Sequence, residues 1–100
     1  MITDYFRLEG KKALITGAGK GIGARIATVF AEMGADVALL ARTESDLDSV
    51  AREVTELGRE ALTFACDVTD ETALAGVVEN LTYHWGSLDI LVNNAGAPGQ

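Results

Sequence analysis

Four short apolar segments alternate with three amphipathic ones along this chain, and that alternation leaves few architectures open. The apolar segments are Ala13–Thr16, Asp36–Ala41, Ala61–Ala65 and Leu88–Val92. Near-continuous apolar runs of this length suit parallel strands buried on both faces. After the first of them, Ile22, Ile26, Val29, Phe30 and Met33 recur at helical spacing. A second helix is predicted over about Glu44–Leu57, with Leu47, Val50, Val54 and Leu57 on one face. A third, about Asp70–Trp85, carries the stripe Leu74, Val77, Val78, Leu81 and Trp85. Thr43 with Asp46 resembles a capping box, Thr69 is placed to cap the third helix, and Gly58 and Gly86 are natural terminators. Strand–helix alternation with short loops implies right-handed crossovers and an α/β, doubly wound parallel sheet. The expected strand order is 3-2-1-4, with a ligand over the carboxyl ends of the strands where the order reverses.

The first such end is the most informative. Gly17-Ala18-Gly19-Lys20-Gly21-Ile22-Gly23 follows a strand and opens a helix. A helix start offers unpaired N–H groups and the positive end of its dipole, both suited to a pyrophosphate. Glycine permits backbone approach to phosphates, or the φ angles of the turn. The plainer reading is a flexible loop, but the strand–turn–helix context makes it a nicotinamide dinucleotide cradle. The glycines fit two registers, Gly19-x-Gly21-x-x-Ala24 and Thr16-Gly17-x-x-x-Gly21-x-Gly23.

Where an NAD site shows an acid after the second strand, this chain has Ala41 and Arg42. A guanidinium grips a ribose 2′-phosphate that a carboxylate would repel. Lys20 offers a second charge, so NADP is favoured over NAD; separately, each could be a solvated surface cation. After the third strand, Asp67 is placed to accept from an adenine amino group and Val68 to pack on the base. A simple turn into the helix explains Asp67 and Asp70 equally well. After the fourth, Asn93-Asn94-Ala95-Gly96 brings two amides and two small residues, either toward the cofactor or as a plain turn.

Thr16-Gly17-Ala18-Gly19-Lys20-Gly21-Ile22-Gly23, Cys66-Asp67-Val68-Thr69 and Asn93-Asn94-Ala95-Gly96 together resemble the classical short-chain dehydrogenase/reductases, over essentially the whole chain. Lys20 with Arg42 resembles the NADP-preferring members of that family. The resemblance implies a Rossmann-like fold and an oxidoreductase that moves hydride between NADP(H) and a ketone or secondary alcohol. Leading substrate classes are 3-oxoacyl thioesters and hydroxysteroids or other cyclic ketones. It further implies that Gly17, Gly19, Lys20, Gly21, Ile22, Gly23 and Arg42 hold the phosphates, Asp67 and Val68 the adenine. Asn94, Ala95 and Gly96 would line the ribose, with Asn93 more structural. Family catalysis uses a serine and a Tyr-x-x-x-Lys pair. Tyr5 is followed at that spacing by Glu9 and Tyr83 by Ser87, so neither fits. The expectation is therefore that residues 1–100 are the N-terminal, cofactor-binding portion of a longer single domain, inactive alone, with an apolar edge at Leu88–Val92. A non-catalytic NADP-binding or sensor module is the alternative. A homo-oligomer, tetramer or dimer, follows from the resemblance.

Other classes recede. One hundred residues allow one domain at most, and the net charge of −7 argues against nucleic acid as the main partner. No apolar run approaches a membrane span, and the start lacks the order of a secretory signal, so a cytoplasmic protein is expected. Cys66 is the only cysteine and reads as an inert thiol beside a buried strand, Thr63-Phe64-Ala65. His84 is the only histidine, near a helix end where an imidazole meets terminal carbonyls; no metal or catalytic role is assigned to it.

Overall fold

In the computed structural model, which describes residues 7–94, the alternation becomes seven elements. They are β1 (Lys12–Thr16), α1 (Gly21–Glu32), β2 (Asp36–Ala41), α2 (Glu44–Glu56), β3 (Ala61–Ala65), α3 (Glu71–Trp85) and β4 (Ile90–Asn93). Every strand pairing is parallel and the order is β3-β2-β1-β4, as expected. Leu14 lies level with Ala38 and Leu91, and Ile15 with Leu39 and Val92. The two strands in the middle are buried almost throughout, because alternate residues feed opposite layers. Ala13, Ile15, Val37 and Leu39 pack under α1 and α2 with Ala27, Ala31, Leu47, Val50 and Val54. Leu14, Ala38 and Leu40 pack on the other side under Val77 and Leu81 of α3.

Several expectations shift. The fourth strand begins at Ile90 rather than Leu88. Leu88 drops into the α3 layer, and Asp89 turns its carboxylate to the Lys12 N–H at 2.9 Å. The buried line of α1 is Gly23, Ala27, Thr28 and Ala31, not the larger apolar residues beside it. Ile22 is 67% exposed, because small side chains let the helix axis approach the sheet and turn the bulky ones to its flanks. Leu57 and Val78 are exposed as well, the first because it caps α2 at its carboxyl end. Thr43 is the residue before α2 but its side chain makes no capping bond. Asp70, not Thr69, caps α3: its Oδ1 accepts from the Ala73 N–H at 3.1 Å, while Thr69 is held by Asp67. Gly58 and Gly86 do close their helices with positive φ. β3 is only half-buried because it is an edge, so Thr63-Phe64-Ala65 is not the buried strand expected.

The amino-terminal ends of the strands carry a network the sequence did not disclose. Asp36 sits there almost buried and is paired with both Lys12 and Arg59, the latter at 3.2 Å. Its Oδ1 also accepts from the Glu60 N–H at 2.8 Å. The Glu60 carboxylate in turn accepts from Trp85 Nε1 at 2.7 Å and meets His84 Nε2 at 3.0 Å. His84 therefore meets a carboxylate rather than helix-end carbonyls. The bonds from Trp85 and His84 hold the Glu60 carboxyl below the usual carboxylate range.

One glycine has no geometric reason to be there. Gly76 lies inside α3, and a Cβ added to it would meet nothing within 4 Å. Gly76→Ala should therefore raise stability by about 0.5–1 kcal/mol through helix propensity and a less flexible unfolded chain. Urea denaturation checks this; a loss of stability would show that this position is packed.

Candidate functional site

The site grows from the carboxyl end of β1. Thr16 is buried, and its hydroxyl accepts from the Asn94 N–H at 2.9 Å and reaches Asn93 Oδ1 at 3.1 Å. That hydroxyl ties the ends of the two adjacent strands. Gly17 then takes φ +62°, and the buried Ala18 donates its N–H to the Leu40 carbonyl at 3.1 Å, pinning the turn to β2. Lys20, in extended backbone, leads into α1 and makes no side-chain capping bond. Lys20 thus leaves the first N–H groups of the helix without a capping bond from its side chain, and such a helix start suits an anion.

Four glycines serve two purposes here. Gly17 and Gly21 both adopt φ +62°, which a side chain rarely allows. Gly19 and Gly23 are there for space. A Cβ on Gly19 would come within 2.7 Å of Asp46 Cβ in the first turn of α2. One on Gly23 would overlap the Gly17 carbonyl and come within 2.7 Å of Asn94 Nδ2, which donates to that carbonyl at 3.2 Å. Of the two registers, Gly17, Gly21 and Gly23 each have a geometric need, whereas Ala24 carries a Cβ at the corresponding position of the other.

The ends of β1, β2 and β3 enclose a cleft of about 670 Å³. Gly17, Gly19 and Lys20 form one wall, Arg42, Thr43 and Asp46 the second, and Cys66, Asp67, Val68 and Thr69 the third. Six expected site residues therefore share one space: Gly17, Gly19, Lys20, Arg42, Asp67 and Val68. Gly21 shapes the turn, Gly23 and Asn94 pack against Gly17, and Ile22 projects from the first turn of α1 to solvent. Ala95 and Gly96 lie outside the described residues. Sequence reasoning missed Leu40, Ala41 and Cys66 at the strand ends and Thr43, Asp46 and Thr69 beyond them as lining residues. The signal for the last three was the short step from strand to helix, which places each helix start on the rim.

Electrostatics divides this cleft evenly between Lys20 and Arg42 on one hand and Asp46 and Asp67 on the other. Asp67 Oδ1 accepts from the Thr69 N–H at 2.9 Å and hydroxyl at 2.7 Å. Those bonds, with a smaller pull from the Arg42 charge, hold its carboxyl below the usual range. No protein group among the described residues bonds its other oxygen, which stays available as an acceptor. Arg42 likewise forms no ion pair among the described residues. The Cys66 thiol, half-buried and 3.4 Å from the Asp67 carbonyl, is pushed up by burial and then by the Asp70 and Asp67 charges. It is a poor nucleophile. No group of acids, histidines and cysteines that could hold a metal occurs among the described residues. Backbone donors, a guanidinium without an ion pair among the described residues and a carboxylate acceptor line one cleft, groups that can meet the phosphates and base of a dinucleotide.

A family model described as short chain dehydrogenase matches residues 11–100. Solved structures agree. A hydroxysteroid dehydrogenase of Escherichia coli is 42% identical with a TM-score of 0.90, over 97% of this chain and 41% of that one. A carveol dehydrogenase of Mycobacterium avium in complex with NAD is 35% identical, TM-score 0.86, over 90% and 37% of the two chains. A metagenomic short-chain oxidoreductase in complex with NADP is 42% identical, TM-score 0.86, over 90% and 41%. The chain spans 36–38% of the length of the first curated relatives it matches.

Proposed function

The chain belongs to the short-chain dehydrogenase family, and on that premise we propose that it forms the dinucleotide cradle of an NADP(H)-dependent oxidoreductase. When bound, the nicotinamide exchanges a hydride with the carbonyl carbon of a ketone or the carbinol carbon of a secondary alcohol. This chain's own residues bind and orient. The uncapped start of α1 and the glycine turn face the pyrophosphate, Asp67 accepts from the adenine amino group, and Val68 packs on the base. Asn94 steadies the turn through Gly17, and with Ala95 and Gly96 borders the nicotinamide ribose. The proton-transferring tyrosine, its lysine and the serine are read as lying beyond these residues. Substrates are alcohols and ketones of the hydroxysteroid, cyclic ketone or 3-oxoacyl thioester classes; relatives acting on a hydroxysteroid and on carveol support the cyclic ones. No described helix is long and apolar enough to cross a membrane, and the whole protein is proposed to work in the cytoplasm as a homodimer or homotetramer.

The observation that carries the choice of NADP is Arg42. It lines the cleft one residue past β2, beside Ala41 where an NAD site has an acid, and no protein carboxylate pairs with it among the described residues. Arg42→Asp should remove a charge-assisted contact worth roughly 1.5–3 kcal/mol and add repulsion, weakening NADP binding at least about tenfold. NAD should lose less or gain, since the new carboxylate accepts from the ribose hydroxyls. Fluorescence titration of the full-length protein with NADPH and NADH checks this. Equal losses for both cofactors would remove Arg42 from the 2′-phosphate.

A further inference from the structure

The cleft holds one group that an anion site does not call for. Asp46 stands in the first turn of α2, half-buried, on the same wall as Arg42 and against Gly19. No hydrogen bond or ion pair engages its carboxylate among the described residues; its N–H donates to the Thr43 carbonyl and its carbonyl accepts from the Ser49 hydroxyl. Glu44 and Asp46 both stand in that first turn and favour the helix dipole, but of the two Asp46 is the one that lines the cleft. A carboxylate left bare in the cleft that Lys20 and Arg42 also line subtracts from the positive field that a 2′-phosphate meets. An unphosphorylated ribose meets no such penalty, since its hydroxyls can donate to a carboxylate.

Resting on the NADP reading of the cleft, we infer that Asp46 is a specificity-determining residue which holds down affinity for the 2′-phosphate and so keeps the cleft open to NAD(H) as a second cofactor. Arg42 and Asp46 act as opposed weights on one wall. Their balance, rather than Arg42 alone, sets the preference between the two dinucleotides.

The test is Asp46→Asn, which keeps size and hydrogen bonding while removing the charge, titrated in the full-length protein with NADPH and with NADH. NADPH should bind about three- to tenfold tighter, and NADH no tighter than before. Asp46→Ser, a good residue for a first helical turn, should repeat the gain if the asparagine variant lowers the melting temperature. Unchanged or weaker NADPH binding in both variants would overturn the role of Asp46 while leaving the cradle intact. An equal gain for NADPH and NADH would overturn it too, by showing a general change in the cleft. A wild-type protein that binds neither dinucleotide would overturn the underlying reading, and this inference with it.

Discussion

Gly23→Val should abolish nucleotide binding and destabilise the fold by about 3 kcal/mol or more, the upper end of overpacking costs. The reason is geometric. Even a single Cβ at residue 23 would overlap the Gly17 carbonyl and crowd Asn94 Nδ2 to 2.7 Å. Neither neighbour can yield cheaply. Gly17 is fixed at φ +62° between a buried Thr16 and a buried Ala18, and the Asn94 amide is already bonded to that carbonyl. Relief would require α1 to lift off the sheet, uncovering Ala27 and Ala31 and displacing the helix start from the phosphates. Denaturant unfolding and NADPH titration of the full-length protein should both report the change, with Gly23→Ala showing a smaller form of the same loss. A valine variant with wild-type stability and affinity would mean that α1 does not rest on the turn.

Asp36→Ala should cost about 3–5 kcal/mol, since it strips a nearly buried carboxylate from two cations and a backbone donor at once. Lys12, Arg59 and the Glu60 N–H would be left around an apolar gap. The same group gives stability an acid limb. Burial pushes the Asp36 carboxyl up, but bonds from Lys12 and the Glu60 N–H, with the Lys12 and Arg59 charges, outweigh it and hold the group below its ordinary value. Glu60 is depressed alongside it, by Trp85 and His84. A depressed folded value means the unfolded chain binds the proton more tightly. This stabilisation is present above about pH 4, the ordinary carboxylate value, and is lost as pH falls through the lower folded values. Urea denaturation over an acid pH series should show Asp36→Asn losing stability less steeply than wild type. Parallel curves would remove Asp36 from the acid limb.

What could be seen in the sequence was whatever depends on neighbours along the chain. The runs Asp36–Ala41 and Ala61–Ala65 became strands with those bounds, and Gly58 and Gly86 ended their helices as expected. Lys20, Arg42 and Asp67 were legible because a strand's carboxyl end is fixed by the strand itself, and all three reached one cleft. The buried face of α1 was not. Periodicity weighs Ile22, Ile26 and Phe30 heavily, whereas the distance from helix to sheet is set by Gly23, Ala27 and Ala31. Choosing between Thr69 and Asp70 as a cap depended on which of two adjacent polar residues Asp67 would take. The tie from Glu60 to His84 and Trp85 spans a separation that only the folded chain closes. Asp46 stayed hidden because a first-turn acid already has an ordinary explanation.

The hydroxyl of Thr16 and the amide of Asn94 also set a sequence of events in time. The glycine turn is made early in the polypeptide, but its carbonyl finds its amide partner 77 residues later, one residue past β4, whose neighbour among the described strands is β1. Contacts of such range are slow to form because loop-closure entropy comes due before they give anything back. A growing chain with β1, α1 and β2 in hand therefore has a turn of the right composition but no finished cradle. Only when β4 is in place does the turn acquire its partner, so the glycine turn is completed after β4 rather than with β1, α1 and β2.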